Sequence, residues 1–400
     1  MTRKNIQQFP LFILMMNMFI VMMGIGLVIP IMPTIIHEFQ ADGKTFGFLI
    51  ATFAFAQFLF SPLAGDLSDR FGRKNAIVFG LLLFSLSQFL FTFSEHLSLL
   101  YVSRLIGGIG GAFMIPSMMA FVADITTVET RAKGMGRLGA AMSFGFVVGP
   151  GVGGFLAAFG LRAPFIIAGV VAALAVIMSI FCLKEPDKAP AVQKAPAHRD
   201  SLFKQMASSV TKPYFILLIM MFTLSFGLAN YQSTISLYTD MKFDFSPSDI
   251  SILMVVGGLA GVIVQAFVLD RVLERFGEVR VMNTMLVVAA LSMLSILWAA
   301  GFVSVLIISG VFFTAASLLR PAINTTVSKM AGSEQGFAAG MNNAYMSVGN
   351  MVGPALAGTL FDVNMGLPYI FGSIIIGVTL IICINWSRGR KRQNVASSMH

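Results

Sequence analysis

The feature that most constrains this chain is a pair of uncharged apolar runs held apart by a short charged stretch. No residue from Phe46 to Leu63 is ionisable, and none is from Asn75 to Ser94. Each run is close to the 20 or so apolar residues that a helix needs to cross a hydrocarbon core. Between them the ten residues from Gly65 to Lys74 hold two acids, Asp66 and Asp69, and three bases. Glycines at positions 65 and 72 predict a tight turn there, at the membrane surface. Arg70, Arg73 and Lys74 are expensive to translocate, which places that turn in the cytoplasm.

The same pattern repeats along the chain. Apolar runs fall near 9–36, 46–63, 75–94, 98–122, 134–158, 164–183, 213–238, 250–269, 281–300, 303–327, 336–361 and 367–386. Only 11% of the residues are charged and 56% are hydrophobic, far from the roughly 25% charged content of soluble domains. Strands of a membrane barrel alternate polar and apolar residues over about ten positions; these runs are twice as long and do not alternate, so backbone satisfaction in lipid requires helices. The expectation is an all-α integral membrane protein of twelve transmembrane helices. The first run is too long for the core of a secretory signal and is read as the first span. Cys182 and Cys383, near the ends of spans 6 and 12, have no second thiol, His or acid at ligand spacing and are read as packed thiols.

With the N-terminus inside, odd spans run outward and even spans return, so both termini are cytoplasmic. The 27 Lys and Arg test this. Three of them (Lys44, Arg162, Lys242) fall outside and two (Arg104, Arg320) lie within spans, leaving 22 on the cytoplasmic side. That bias supports the orientation and an even number of spans. The net charge of +9 is therefore spread over membrane loops rather than gathered in a nucleic-acid patch.

From Lys184 to Lys212 the composition turns to Lys, Pro, Ala, Gln, His and Asp. This reads as a cytoplasmic linker over 184–212 between six-helix bundles at 1–183 and 213–400. The halves also echo each other. Arg70-Phe71-Gly72 recurs as Arg275-Phe276-Gly277 and Pro116 as Pro321, both at an offset of 205; Gly149-Pro150 recurs as Gly353-Pro354 at 204. Such agreement indicates an internal repeat. Two parallel six-helix repeats are the plan of rocking transporters, with the substrate site near the midplane.

Several motifs now resemble the major facilitator superfamily, and the likeness covers nearly the whole chain. Gly-x-Leu-x-Asp-Arg-x-Gly-Arg-Lys over 65–74 is similar to its signature loop between spans 2 and 3. The stretch from Met23 to Pro33, Leu100-x-x-x-Arg104-x-x-Gly107-Gly108, and the span-5 run Gly145, Gly149, Pro150, Gly151, Gly153, Gly154 resemble motifs of its drug:proton antiporter branch. With Ser225-Phe226-Gly227-Leu228, Arg320-Pro321-Ala322 and Gln335-Gly336-Phe337, the chain looks most like Bmr/NorA-type multidrug exporters. The resemblance implies the twelve-helix fold of two pseudo-symmetric bundles in a bacterial-type cytoplasmic membrane. It also implies alternating-access export of amphipathic molecules in exchange for protons, by a monomer without a cofactor.

Roles follow from the same resemblance. Gly65, Asp69, Arg70, Gly72, Arg73 and Lys74 would form a conformational latch, Arg104 and Arg320 would be coupling or cavity charges, and the span-5 glycines would mark an antiporter. Physical chemistry agrees with each: glycines four apart allow close helix approach, Pro150 permits bending, and an intramembrane charge is functional by default. Arg104 stands near the outer end of its helix, where snorkelling is the alternative to function; Arg320 lies about two turns from the inner end of its span. Phe144, Asn230, Gln232, Ser317, Asn342 and Tyr345 are the candidate cavity contacts.

The chain departs from its relatives in one respect. Bmr/NorA-type exporters carry a Glu in span 7 and an Asp in span 10, and the aligned positions here are Gln232 and Ser317. All 18 acids fall in loops or at helix ends, so a titrating group would have to stand at a helix end, with Glu38, Asp124 and Asp240 nearest. A cavity with two arginines and no acid should tolerate cations less well and favour neutral, zwitterionic or anionic amphipathic compounds. A second reading is a facilitator or exporter of one metabolite, for which span 7 offers Asn230, Gln232, Ser233 and Thr234. An enzyme finds no support: Gly108-Ile109-Gly110-Gly111 lies inside a span with no preceding strand, and no phosphate-loop lysine is present.

Overall fold

The computed structural model describes residues 3–186, 202–332 and 334–397, and among these there are helices and turns but no strand. Spans 2 to 7 are Gly43–Phe71, Arg73–Thr92, Leu97–Ile125, Val128–Ala157, Ala163–Cys182 and Phe215–Phe243. Spans 10, 11 and 12 are Phe302–Ala331, Gln335–Val363 and Leu367–Ser397. The other three are jointed. Span 1 runs as Arg3–Gly26 and Val28–Glu38, span 8 as Pro247–Phe267 and Leu269–Phe276, and span 9 as Glu278–Ser295 closed by the 3₁₀ turn Ile296–Trp298. Eleven of the twelve are long and apolar enough to cross a membrane. Span 11 is as long but carries Asn342, Asn343, Ser347, Asn350 and Thr359.

The joint in span 1 has a local cause. Pro30 and Pro33 lack the N–H groups that would bond the carbonyls of Gly26 and Ile29, while the Leu27 N–H still reaches the Met23 carbonyl at 2.9 Å. The helix bends there without coming apart.

The turn expected over 65–74 is shorter than its glycines imply. Span 2 continues as helix through Asp66, Asp69 and Arg70 to Phe71, and Gly72 alone breaks it, with φ +101°. At 29 residues the helix is about 43 Å long. Its charged end therefore projects beyond the hydrocarbon and keeps its backbone bonds. The second repeat uses the same device: Gly277, φ +76°, separates Leu269–Phe276 from span 9.

The chain divides into two compact units: Met1–Ala41, Leu49–Arg199 and Phe245–Ile252 make the first, and Asp42–Phe48, Asp200–Asp244 and Leu253–His400 the second. The first is packed around Leu14, Met18, Ile77, Phe84, Met114 and Phe121. Asn17 donates to Ser179 Oγ at 2.8 Å, tying span 1 to span 6. In the second, the fully buried Leu217, Phe226, Tyr231, Phe312 and Tyr369 pack the interior. There Thr223 and Thr379 share a hydrogen bond of 2.8 Å between spans 7 and 12, the repeat's equivalents of spans 1 and 6.

Residues 187–201 of the expected linker lie outside the described residues. Its last part is not irregular chain. Leu202–Ser209 is a helix, and Ser209 Oγ lies 3.1 Å from the Tyr345 hydroxyl of span 11.

Candidate functional site

The charged stretch after span 2 is a network built on the left-handed turn at Gly72. The free N–H groups that open span 3 meet one carboxylate: Arg73 N donates to Glu185 Oε1 at 2.6 Å and Lys74 N to Oε2 at 2.9 Å. A carboxylate at a helix N-terminus satisfies orphan donors and opposes the positive end of the helix dipole. A Cβ at position 72 would stand 2.8 Å from that carboxylate, so Gly72 serves both the backbone angle and the approach of Glu185. The Arg73 guanidinium pairs with Asp69 one turn back, reaches Asp124 of span 4 at 3.3 Å, and donates to Ser68 Oγ at 3.1 Å. Ser117 of span 4 in turn donates to Ser68 at 2.9 Å. Lys74 Nζ caps the end of span 6 through the Ile180 carbonyl at 2.6 Å.

Asp69, Gly72, Arg73 and Lys74 thus converge on one network joining the ends of spans 2, 3, 4 and 6. Gly65 has open space around it, and Arg70 is exposed and makes no polar contact among the described residues. Glu185 was missed by the sequence reading, because it stands 112 residues from its partner in a stretch taken as linker. The available signal was an acid directly after a span that ends on the same side as the basic turn.

The span-5 glycines form a seam against span 1. A Cβ on Gly145 would stand 2.5 Å from the Phe19 carbonyl, and one on Gly149 2.6 Å from that of Met23; one on Gly153 would strike the Leu27 carbonyl. Gly154 faces the start of span 8, where Ser251 donates to the Pro150 carbonyl at 2.7 Å. The second repeat copies the seam: Gly349 and Gly353 of span 11 lie against the Phe222 and Phe226 carbonyls of span 7 at 2.6 and 2.7 Å, again measured to a built Cβ.

The two intramembrane arginines differ. Arg104 is only 8% exposed, which excludes snorkelling. Its guanidinium carbon lies 4.4 Å from the centre of the Phe91 ring, which itself stacks on Phe165, and Gln88 Oε1 is 3.5 Å away. Its Nε has no acceptor. Arg320 is partly exposed and makes no hydrogen bond, ion pair or ring contact with the described residues.

The six expected cavity residues are not gathered into one cluster. Asn230 is fully buried and donates to the Pro368 carbonyl at 3.2 Å, while Ser233 and Thr234 turn their hydroxyls to its own carbonyl. A polar run in a span satisfies itself on helix backbone where no water reaches it. Ser317 donates to the carbonyls of Gly261 and Thr314 at 3.0 and 2.8 Å. Asn342 donates to Asn324 at 2.9 Å, Tyr345 meets the linker helix, and Gln232 is partly exposed. Phe144 stands 57% exposed on span 5 and stacks on Phe19. Of the proposed helix-end acids, Glu38 pairs with Arg162 at 3.2 Å and Asp124 with Arg73.

These features, two repeats with matching glycine breaks and seams, meet a direct comparison. The sequence profile of the Major Facilitator Superfamily matches residues 14–273 and 217–398. The chain belongs to the major facilitator superfamily. Within it, the chain is 39% identical to Multidrug resistance protein 2 of Bacillus subtilis over 398 residues, 99% of each chain. It is 36% identical to the Quinolone resistance protein NorA of Staphylococcus aureus over 389 residues, 96% of this chain and 99% of that one. The fold is likewise that of a bacterial homologue of the human lysosomal transporter Spinster, with a TM-score of 0.79 at 14% identity over 94% and 96% of the two chains. The chain is a multi-pass membrane protein of the superfamily's twelve-helix, two-bundle fold.

Proposed function

We propose that this chain is a secondary transporter that exports amphipathic small molecules, including drugs, from the bacterial cytoplasm by alternating access in exchange for protons. The observation that carries the reading is its 36 to 41% identity, over nearly its full length, to proteins named for multidrug and quinolone resistance. It works as a monomer with both termini and the 184–212 linker in the cytoplasm, between bundles at 1–183 and 213–400. In this reading the network of Asp69, Gly72, Arg73 and Lys74 is a latch on the cytoplasmic side, Arg104 acts in coupling, and the span-5 seam lets span 1 slide as the bundles rock. The alternative of a metabolite facilitator drew on the polar run of span 7, of which only Gln232 is partly exposed.

The test is accumulation of a neutral and a cationic fluorescent dye in energised cells expressing the chain, with and without a protonophore. Export predicts lower accumulation of at least one dye that the protonophore reverses. Accumulation indifferent to the protonophore refutes proton exchange.

A further inference from the structure

Among the described residues, every acid near the linker end of the second unit is either engaged or turned to solvent. Glu334 pairs with Lys212 at 2.7 Å and Glu278 with Lys329. Asp270 and Glu274 lie exposed on the stub that ends span 8. Spans 10 and 11 hold no acid before Asp362 at the opposite end of span 11, where its carboxylate accepts the Gly43 and Lys44 N–H groups at 2.7 and 2.9 Å. Arg320 is left over. It stands eleven residues before the end of its helix, about 16 Å along the axis. Among the described residues it has no partner. About two turns inside the apolar run that ends at 327, a guanidinium without a counter-charge among the described residues is costly, and side chains of this kind mark substrate paths.

Its neighbours say what would pair with it. Phe313, Ser317, Arg320 and Asn324 follow one another at i, i+4, i+7 and i+11, one stripe along span 10. Phe313 is partly exposed, with its ring packed on Gly257 of span 8 and edge-on to Tyr231 of span 7. The Ser317 hydroxyl is spent on backbone carbonyls, and Asn324 accepts from Asn342. An apolar ring thus begins the stripe, and an unspent five-donor fork stands two turns along it. That order complements an aromatic or aliphatic body bearing an oxyanion, which the fork can hold with two parallel hydrogen bonds.

We propose that Arg320 receives the negative group of the transported molecule, and that the substrates of this chain are amphipathic anions, carboxylates above all. The inference rests on the export reading above. Arg104, which meets Gln88 and the Phe91 ring but no carboxylate among the described residues of the first unit, adds a second fixed positive charge, so both intramembrane charges oppose cations.

The test is binding to the purified full-length chain in lipid nanodiscs, read by fluorescence with empty nanodiscs subtracted. The probes share one body: dansylglycinate, its neutral methyl ester, and the matching dansylaminoethyl trimethylammonium cation. The wild type should bind the anion more tightly than the ester and the ester more tightly than the cation. Arg320→Gln should weaken dansylglycinate about tenfold or more and leave the ester unchanged, and Arg320→Lys should fall between. Intact ester binding shows that the variant is folded. Unchanged anion binding in Arg320→Gln overturns the proposal, since the group would then merely reach the membrane surface. Equal weakening of anion and ester also overturns it, as does a wild type that prefers the cation or binds none of the three. None of these results touches the dye-export experiment, which tests the export reading separately.

Discussion

Two glycines ten residues apart on span 5, Gly139 and Gly149, should answer alanine with opposite signs. On Gly149 a new Cβ would stand 2.6 Å from the Met23 carbonyl oxygen and 3.1 Å from Gly26 Cα, backbone atoms that cannot swing aside. Ordinary C···O contacts are about 3.3 Å or more, so spans 1 and 5 must part by well over half an ångström. Overpacking of this kind costs about 1–3 kcal/mol. Alanine returns up to about 1 kcal/mol of helix propensity at any helical glycine, and Gly139 has nothing within 4 Å of a built Cβ. Gly139→Ala should therefore stabilise slightly and Gly149→Ala destabilise. The propensity term cancels between them, leaving a gap of about 1–3 kcal/mol for overpacking alone. The assay is the thermal unfolding midpoint of the purified chain in one detergent at one scan rate. A Gly149→Ala midpoint equal to or above that of Gly139→Ala would refute the seam.

Glu185→Ala removes two charge-assisted hydrogen bonds from the start of span 3 and should cost about 1–2 kcal/mol, seen as faster hydrogen exchange at Arg73 and Lys74; unchanged exchange there rejects the cap. Gly72→Ala should destabilise by more than Gly277→Ala, because both force a residue with a side chain to a positive φ, at about 1–3 kcal/mol each, but only position 72 also meets a carboxylate. The ordering is checked by unfolding midpoints, and a larger loss at Gly277 contradicts it. Before span 2, the Thr45 hydroxyl and N–H hold the Asp42 carboxyl below the usual carboxylate range. A lowered value means that this cap is complete above the unfolded value of about 3.9 and is lost as pH falls through the lower folded one. The protection factor of the Thr45 N–H, the intrinsic exchange rate divided by its observed rate at each pH, should then fall only in that acid window, and Asp42→Ala should abolish the fall; a wild type whose protection stays constant from pH 6 down through the acid range counts against it.

The helices were legible because each buries or solvates a long uncharged run, and the repeat was legible because Gly72 and Gly277, or Gly149 and Gly353, keep their spacing. What could not be read were partners far apart in sequence. Nothing local to Glu185 says that it caps Arg73, and nothing local to Asn230 says that it meets the Pro368 carbonyl rather than a ligand. Helix ends were also misjudged. Charged residues such as Asp69 and Arg70 end an apolar run without ending the helix, which continues to Phe71. For Arg104 the sequence left snorkelling and burial open; the choice was made by Phe91 and Gln88, which lie on another span.

The charge of the substrate bears on the missing acids. A cation leaving a cell that is negative inside climbs about 2.3 kcal/mol per 100 mV, and an exporter of cations must recover that from entering protons. Ionisable acids within spans can relay such protons. A monoanion falls by the same amount, enough to sustain a gradient of about fifty-fold at 100 mV by itself. Each proton exchanged for it would move a second charge in the favourable direction. An anion at Arg320 therefore needs less from proton coupling than a cation would. Gln232 and Ser317, which the resemblance sets against acids of Bmr/NorA-type exporters, and the guanidinium one turn beyond Ser317, without a partner among the described residues, are then consistent with each other. The interiors of spans 7 and 10 hold no acid to neutralise Arg320, and on this proposal the cargo meets its charge.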